Sequence, residues 1–454
     1  MGAKSALEYP MDMAVVPDLR RYAGLAEVAS AFLGAIVAGL LLMAPLDLAW
    51  SDDGGPLELD MLVLNMPRAA AAGAIFAVVA AALAVALGRR AAWLMSLGSA
   101  TILLADHLWN LNSSFTGTLI TVNYIDSIFG GLLLGTLGVA VCGRRITSTA
   151  FLVGALGAIL FGDLTSLPES GGEPTFTEWL SVGTPPVWLL LIAVVALAAG
   201  VSVQRPADDA ETETADLPIA PILAALVLVM ATALSTEWFV RGPGTVPNIV
   251  LAAAVTLVAA LLAALLLPGR DGRYVLLAVA VTNSGSAIFT VPRPDWSALM
   301  QIGGVLLGFY LGRRGFSPWP AFAGTGLLAL FAALTADHAH SDAVIPIVGI
   351  TALGLLMGYA FAGPAPVAPT SMVVALSALV VPCLVIALRG SSFGRIAYSP
   401  RWYRDPTGAV SATPGWAALA ITLGCAAGLL LLYRLRPAGI QSAKRAFTHS
   451  SASS

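Results

Sequence analysis

Long apolar runs broken by short polar stretches organise the whole chain. Fourteen such runs lie at 23–46, 68–87, 91–108, 120–142, 146–162, 184–203, 219–238, 247–267, 273–291, 296–312, 319–336, 343–362, 370–389 and 414–434. A helix needs about 20 mainly apolar residues to cross a hydrocarbon core of roughly 30 Å. Each run is therefore predicted to be a membrane-spanning helix. The short connections leave no room for a soluble domain of about 50 residues or more. Splitting 319–362 into two spans rests on Asp337, His338, His340 and Asp342, which would be costly in hydrocarbon. The expected fold is an all-α polytopic membrane protein of about 14 transmembrane helices.

Composition narrows the setting. Hydrophobic residues make up 58% of the 454 positions and charged residues 11%, against about 25% charged in soluble domains. A net charge of -3 argues against a nucleic-acid partner and leaves membrane lipids as the surroundings. Glu8, Asp12 and Asp18 spoil the basic segment that a cleaved signal peptide needs. Cys142, Cys383 and Cys425 all fall in or beside apolar runs and read as small core residues rather than a disulfide or metal framework. Lysine is nearly absent beside arginine, with Lys4 and Lys444 alone, as in alanine-rich bacterial chains.

Arginine placement predicts orientation. Arg89–Arg90, Arg144–Arg145, Arg205, Arg270 with Arg273, and Arg313–Arg314 all occupy connections on one side, together with both tails. The excess of positive charge marks that side as cytoplasmic. The expectation is a multi-pass protein of a bacterial inner membrane with both termini inside. One outer loop breaks the rule: residues 390–413, with Arg389 just before them, bring Arg389, Arg395, Arg401 and Arg404 together as an anion-facing patch.

Repeated motifs suggest an internal duplication. Asp126 precedes Gly143-Arg144-Arg145 by 17 residues, and Asp295 precedes Gly312-Arg313-Arg314 by the same interval. Gly98-Ser99-Ala100 recurs as Gly285-Ser286-Ala287. Six spans separate each pair, which predicts two six-helix pseudo-repeats, at 23–203 and 219–363, and two extra C-terminal helices at 370–434. The rest is a tail at 1–22, an acidic linker at 204–218 and a tail at 435–454.

Two six-helix halves, basic turns at the 2–3, 4–5, 8–9 and 10–11 connections, a polar central linker and cytoplasmic tails resemble the major facilitator superfamily of secondary transporters. The Gly88-Arg89-Arg90 turn keeps the end of that family's 2–3 loop signature without its Asp. Gly269-Arg270-Asp271-Gly272-Arg273 keeps more of it. The resemblance implies alternating access around a central site.

Candidate chemistry is sparse. The midplane is nearly free of ionisable side chains but holds Ser96, Ser99, Asn283 and Ser286. These read as a substrate path or as interhelical hydrogen bonds. Asp106, Asp126 and Glu237 fall at the outer mouth, and Arg89, Arg90, Asp271 and Arg273 at a cytoplasmic gate. Glu27, just inside the cytoplasmic edge, reads as snorkelling to the interface. Gly131-xxx-Gly135, Gly304-xxx-Gly308 and Gly354-xxx-Gly358 are patterns for close helix packing. His338, His340, Asp337 and Asp342 are a candidate metal set, with a solvated loop as the favoured reading, and no cofactor is expected. The favoured function is a secondary transporter of a small solute or cell-envelope intermediate. The rivals are a glycosyl- or lipid-transferring enzyme using Asp52 or Asp53, a polyprenyl-linked saccharide flippase, and a non-transporting scaffold of an envelope-assembly complex.

Overall fold

The computed structural model describes residues 16–43, 56–112, 119–162, 185–204, 217–242, 244–288, 296–336, 344–390 and 411–437. Among these residues the chain is helical with short turns. The helices are α1 (Val16–Met43), α2 (Pro56–Leu87), α3 (Arg89–Asn112), α4 (Leu119–Ala140), α5 (Arg145–Gly162), α6 (Val187–Val203), α7 (Ile219–Arg241), α8 (Val246–Leu266) and α9 (Gly272–Ile288). They continue with α10 (Ser297–Arg314), α11 (Pro318–Leu334), α12 (Val344–Phe361), α13 (Pro369–Val380), α14 (Leu384–Gly390) and α15 (Thr413–Leu435). Each of the fourteen apolar runs has its helix, the thirteenth being divided between α13 and α14. By length and composition, nine of the described helical runs can cross a membrane, and α5, α6 and α11 are shorter apolar helices. The chain is a polytopic helical membrane protein.

Glycine decides where several helices stop. Gly88, Gly143 and Gly269 have positive φ at the ends of α2, α4 and α8. That left-handed geometry closes a helix cheaply only without a Cβ. An arginine follows each of them in the sequence, so one local device sets both the turn and the charge beside it. These arginine turns gather at one face of the molecule, called here the arginine face.

The first six helices form one bundle. In it α2 packs on α4, α1 on α5, α6 and α4, and α3 on α4 and α6. Each of these pairings has a counterpart eight spans later, α10 on α12, α9 on α13, α15 and α12, and α11 on α12 and α15, but α9 also packs on α11 where α1 and α3 have no comparable packing. The second bundle is thus α9 to α15, and α7 with α8 form a hairpin that touches α2, α9, α13 and α15. This differs from the expected division at 219–363 and 370–434, in which the last two helices stood apart. The physical reason is motif degeneracy. Gly-Arg-Arg ends α2 as well as α4, so the Gly312-Arg313-Arg314 end of α10 aligns with either helix.

The closest helix pairs are glycine-lined, as the small-residue spacing predicts. A Cβ at Gly131 would overlap the Gly73 carbonyl, and one at Gly135 the Ala77 carbonyl. In the second bundle, Gly308 and Gly358 meet the backbones of Leu355 and Val305 in the same way. Lipid tails are as apolar as leucine side chains, so such pairs are held by dispersion at close range rather than by the hydrophobic effect. Between the bundles, α13 lies against α2 and α4. There the buried Ser377 hydroxyl donates to the Ala74 carbonyl at 3.0 Å.

Candidate functional site

At the arginine face a cavity of about 460 Å³ opens between the bundles. Its first-bundle wall comes from the end of α4, the turn after it and α5, including Cys142, Arg145, Ser148 and Phe151. Its second-bundle wall comes from the end of α10, the end of α12 and the start of α13, including Arg313, Phe361 and Met372. The α13–α2 and α13–α4 contacts lie on its inner side. Ser377 is eight residues into α13, so this contact sits about 12 Å inward from the start of that helix.

One hydrogen-bonded strap crosses the cavity mouth. The Arg313 guanidinium at the end of α10 donates to the Arg145 carbonyl at 3.2 Å and to the Thr149 hydroxyl, both on α5. Partial burial pushes the Cys142 thiol up from its ordinary value; the Asp271 carboxylate adds to that, while a hydrogen bond at Gly143 opposes it.

An acid anchors the arginine-face end of each bundle. Glu27, about three turns into α1, is 2% exposed. It accepts from Arg144, and from the Gln204 amide at 2.9 Å, with the Arg89 guanidinium 3.8 Å away. Arg89 also donates to the Ala140 carbonyl at 3.0 Å. Glu27 therefore does not snorkel: basic and amide groups from three other segments meet it inside. Asp271, immediately before α9, is equally buried. Its two carboxylate oxygens accept the backbone N–H groups of Val367 and Ala368, each at 3.0 Å, capping α13 from outside its own segment. Beside it, Arg273 lies 4.7 Å over the Tyr274 ring and 5.6 Å from that of Phe316. Arg273 and the Tyr274 hydroxyl both donate to the Pro364 carbonyl.

The structure divides the four residues expected at the gate. Arg89 belongs to the Glu27 anchor and Arg90 adjoins it in sequence, whereas Asp271 and Arg273 hold the α12–α13 turn. Among the described residues, Arg313 makes a bond from bundle to bundle at this face. Repetition of Gly-Arg-Arg drew attention to Arg313 only as a topology mark, and nothing in its sequence neighbourhood distinguishes it from Arg314.

The expected path residues are also divided. The Ser96 hydroxyl lies 2.8 Å from that of Thr136, joining α3 to α4, and Ser99 donates to the Met95 carbonyl. Asn283 donates to the Val279 carbonyl at 2.8 Å and borders a water-sized void of about 10 Å³ with Thr232, Thr256 and Cys383. Ser286 lies 3.4 Å from the Cys383 sulfur. Each pair lies inside its own bundle, and none of the four lines the larger cavity.

On the opposite face, Glu237 of α7 pairs with Arg68 of α2 and with Arg241 one turn on, tying the hairpin to the first bundle. Asp106, His107 and Asp126 bring three ligand-type atoms within 4.8 Å of one another, the one such grouping among the described residues. His107 lies 3.8 Å from Asp126. Asp52, Asp53, Asp337, His338, His340, Asp342, Arg395, Arg401 and Arg404 lie outside the described residues, as do the side chain of Arg389 and most of the 204–218 linker.

No protein-family model matches the chain, and no curated protein matches it. Among solved structures, the chain is similar to an auto-inhibited POT family peptide transporter. The identity is 13% and the TM-score 0.43, over 91% of this chain and 97% of that one.

Proposed function

We propose that this protein is a secondary transporter that moves a small solute or cell-envelope intermediate by alternating access, with the two bundles as its moving bodies. The observation that carries the reading is the cavity between them, open at the arginine face and backed by direct α2–α13 packing. A carrier in one of its end states needs this asymmetry: access from one side and helix contact towards the other. Closing the open side requires α10 and α12 to approach α4 and α5, along the line Arg313 already spans. Opening the other side requires α13 to part from α2, which breaks the Ser377–Ala74 hydrogen bond; the Glu237–Arg68 pair between α7 and α2 must also part unless the hairpin moves with α2. Interhelical hydrogen bonds in membranes contribute around 1 kcal/mol, so the Ser377 bond is cheap to break. The gathered arginine turns support a cytoplasmic position for the open face and for both tails, in a bacterial inner membrane.

Movement is testable without knowing the cargo. In a background with all three cysteines replaced by serine, Thr149→Cys and Arg313→Cys are linked by a short bismaleimide to hold the arginine face shut. A further Ser377→Cys is then expected to gain reactivity towards a small methanethiosulfonate reagent introduced after linking. Unchanged reactivity at that position would reject alternating access and leave a non-moving scaffold.

A further inference from the structure

We propose that the cavity at the arginine face is a receptor for an amphipathic organic anion, an apolar body carrying one sulfonate-, carboxylate- or phosphate-type head. The proposal rests on the transporter reading, since it names the cargo class that the cavity would carry. The first observation is the charge of the walls. Arg145 and Arg313 line the cavity, and among the described residues no aspartate or glutamate lines it, Asp271 lying behind the wall near enough to act on Cys142. The second is how those arginines are satisfied. Arg144 and Arg89 find a carboxylate at Glu27, and Arg68 and Arg241 at Glu237, while Arg270, Arg273 and Arg436 bond backbone carbonyls. Arg313 is of the second kind: among the described residues its partners are neutral oxygens, the Arg145 carbonyl and the Thr149 hydroxyl. The Arg145 guanidinium makes no hydrogen bond or ion pair among the described residues.

A guanidinium prefers an anionic acceptor to a neutral one, because charge-assisted hydrogen bonds are shorter and roughly twice as strong. An entering anion therefore outcompetes the carbonyl and the hydroxyl for Arg313. Arg145 opens α5, so the positive end of that helix adds to the attraction. The third observation is the remaining wall. Phe151, Phe361, Met372 and Val373 give the ligand an apolar side to lie against. A small inorganic anion would leave this surface uncovered, whereas an aryl or alkyl body fills it. Binding also has a mechanical result. Transferring Arg313 to the ligand replaces the direct α10–α5 bond with one made through the ligand, so occupancy itself changes what joins the two bundles at this face.

Cys142 lines the same cavity and is half-buried, while Cys383 and Cys425 are buried. A Cys383→Ser, Cys425→Ser variant in phosphatidylcholine nanodiscs therefore reports occupancy through the rate of Cys142 alkylation by N-ethylmaleimide. The pH is fixed at about 8, because the raised thiol makes the rate climb with pH. The probes are 2-naphthalenesulfonate, the neutral 2-naphthalenemethanol and the cationic 2-naphthyltrimethylammonium. At about ten times its Kd, the sulfonate is expected to slow alkylation about tenfold, and the other two to leave it unchanged. Arg145→Gln is expected to weaken the sulfonate about tenfold, with no loss of any bond that the fold uses. Arg313→Gln should do the same and raise the unprotected rate by loosening the strap.

A companion arm adds phosphatidylglycerol to the nanodiscs. Protection by that lipid alone, lost in Arg145→Gln, assigns the anion to a lipid headgroup. Protection by the sulfonate alone assigns it to a free solute. Equal protection by all three naphthyl probes, or protection indifferent to both glutamine variants, overturns the proposal. Occupancy needs no movement of the bundles, so this result and the Ser377→Cys result stand or fall separately.

Discussion

In the first bundle α2 meets α4 through Gly73, Gly131 and Gly135, and in the second α10 meets α12 through Gly304, Gly308, Gly354 and Gly358. These contacts are alike, backbone against backbone. The arginine-face ends of the two bundles are not. Glu27 is held by three side chains, two of them cationic. Asp271 is held by two backbone N–H groups. Side-chain partners can rotate away, reach water or exchange for another acceptor, whereas an N–H at a helix start stays where the backbone puts it. One fold thus solves the same problem, fixing a buried acid, once adjustably and once rigidly. The rigid solution sits on the turn that forms the cavity wall.

The largest effect should come where the bundles agree. Gly135→Leu and Gly308→Leu each force two backbones apart and should cost about 3 kcal/mol, the upper range for overpacking. Loss of monodisperse protein on extraction, or a comparable drop in thermal midpoint, checks this. A silent variant in one bundle only would break the likeness.

Next come the acids. Glu27→Ala is expected to cost about 2 kcal/mol, below the usual figure for splitting a buried pair because Arg144 is half exposed to water. Asp271→Ala orphans two N–H groups and should cost about 1–2 kcal/mol. Salt sharpens the contrast. At about 1 M the screening length falls to roughly 3 Å, so the Glu27→Ala penalty should shrink while the Asp271→Ala penalty holds. Equal salt dependence in urea or thermal unfolding would erase the distinction. The smallest effect belongs to Ser96→Ala, which removes the α3–α4 hydroxyl pair at about 0.6 kcal/mol. A shift in thermal midpoint of more than a few degrees would mean that Ser96 does more than join two helices.

Apolar length made the helices legible in the sequence, since a run of about 20 residues in lipid has little choice but to be helical. Glycine spacing made the tight pairs legible, because nothing larger fits at Gly131 or Gly308. Partner choice was not legible. Glu27 finds its partners at 89, 144 and 204, and no local pattern links those positions. Asp271 finds backbone, and an N–H has no signature in a sequence. The extent of the second bundle is not legible for a related reason: identical turn motifs end helices that pack on different neighbours. Arg313 was visible as a charge, but its significance lies in an acceptor pair 168 and 164 residues away.

The pairing of α9 with α15 has a consequence for how the protein is made. Arg436, just past α15, donates to the Leu265, Leu267 and Gly269 carbonyls at the α8–α9 turn. Chains emerge from the ribosome N-terminus first. The first bundle can close as soon as α6 is inserted, with most of the chain still to be translated. The second cannot close until its last helix has left the ribosome, so its opening helix must wait in the bilayer through the synthesis of everything between. Shortening the chain before residue 436 would then be an error of assembly rather than of trimming, and quality-control proteases should detect it as an unfinished membrane protein.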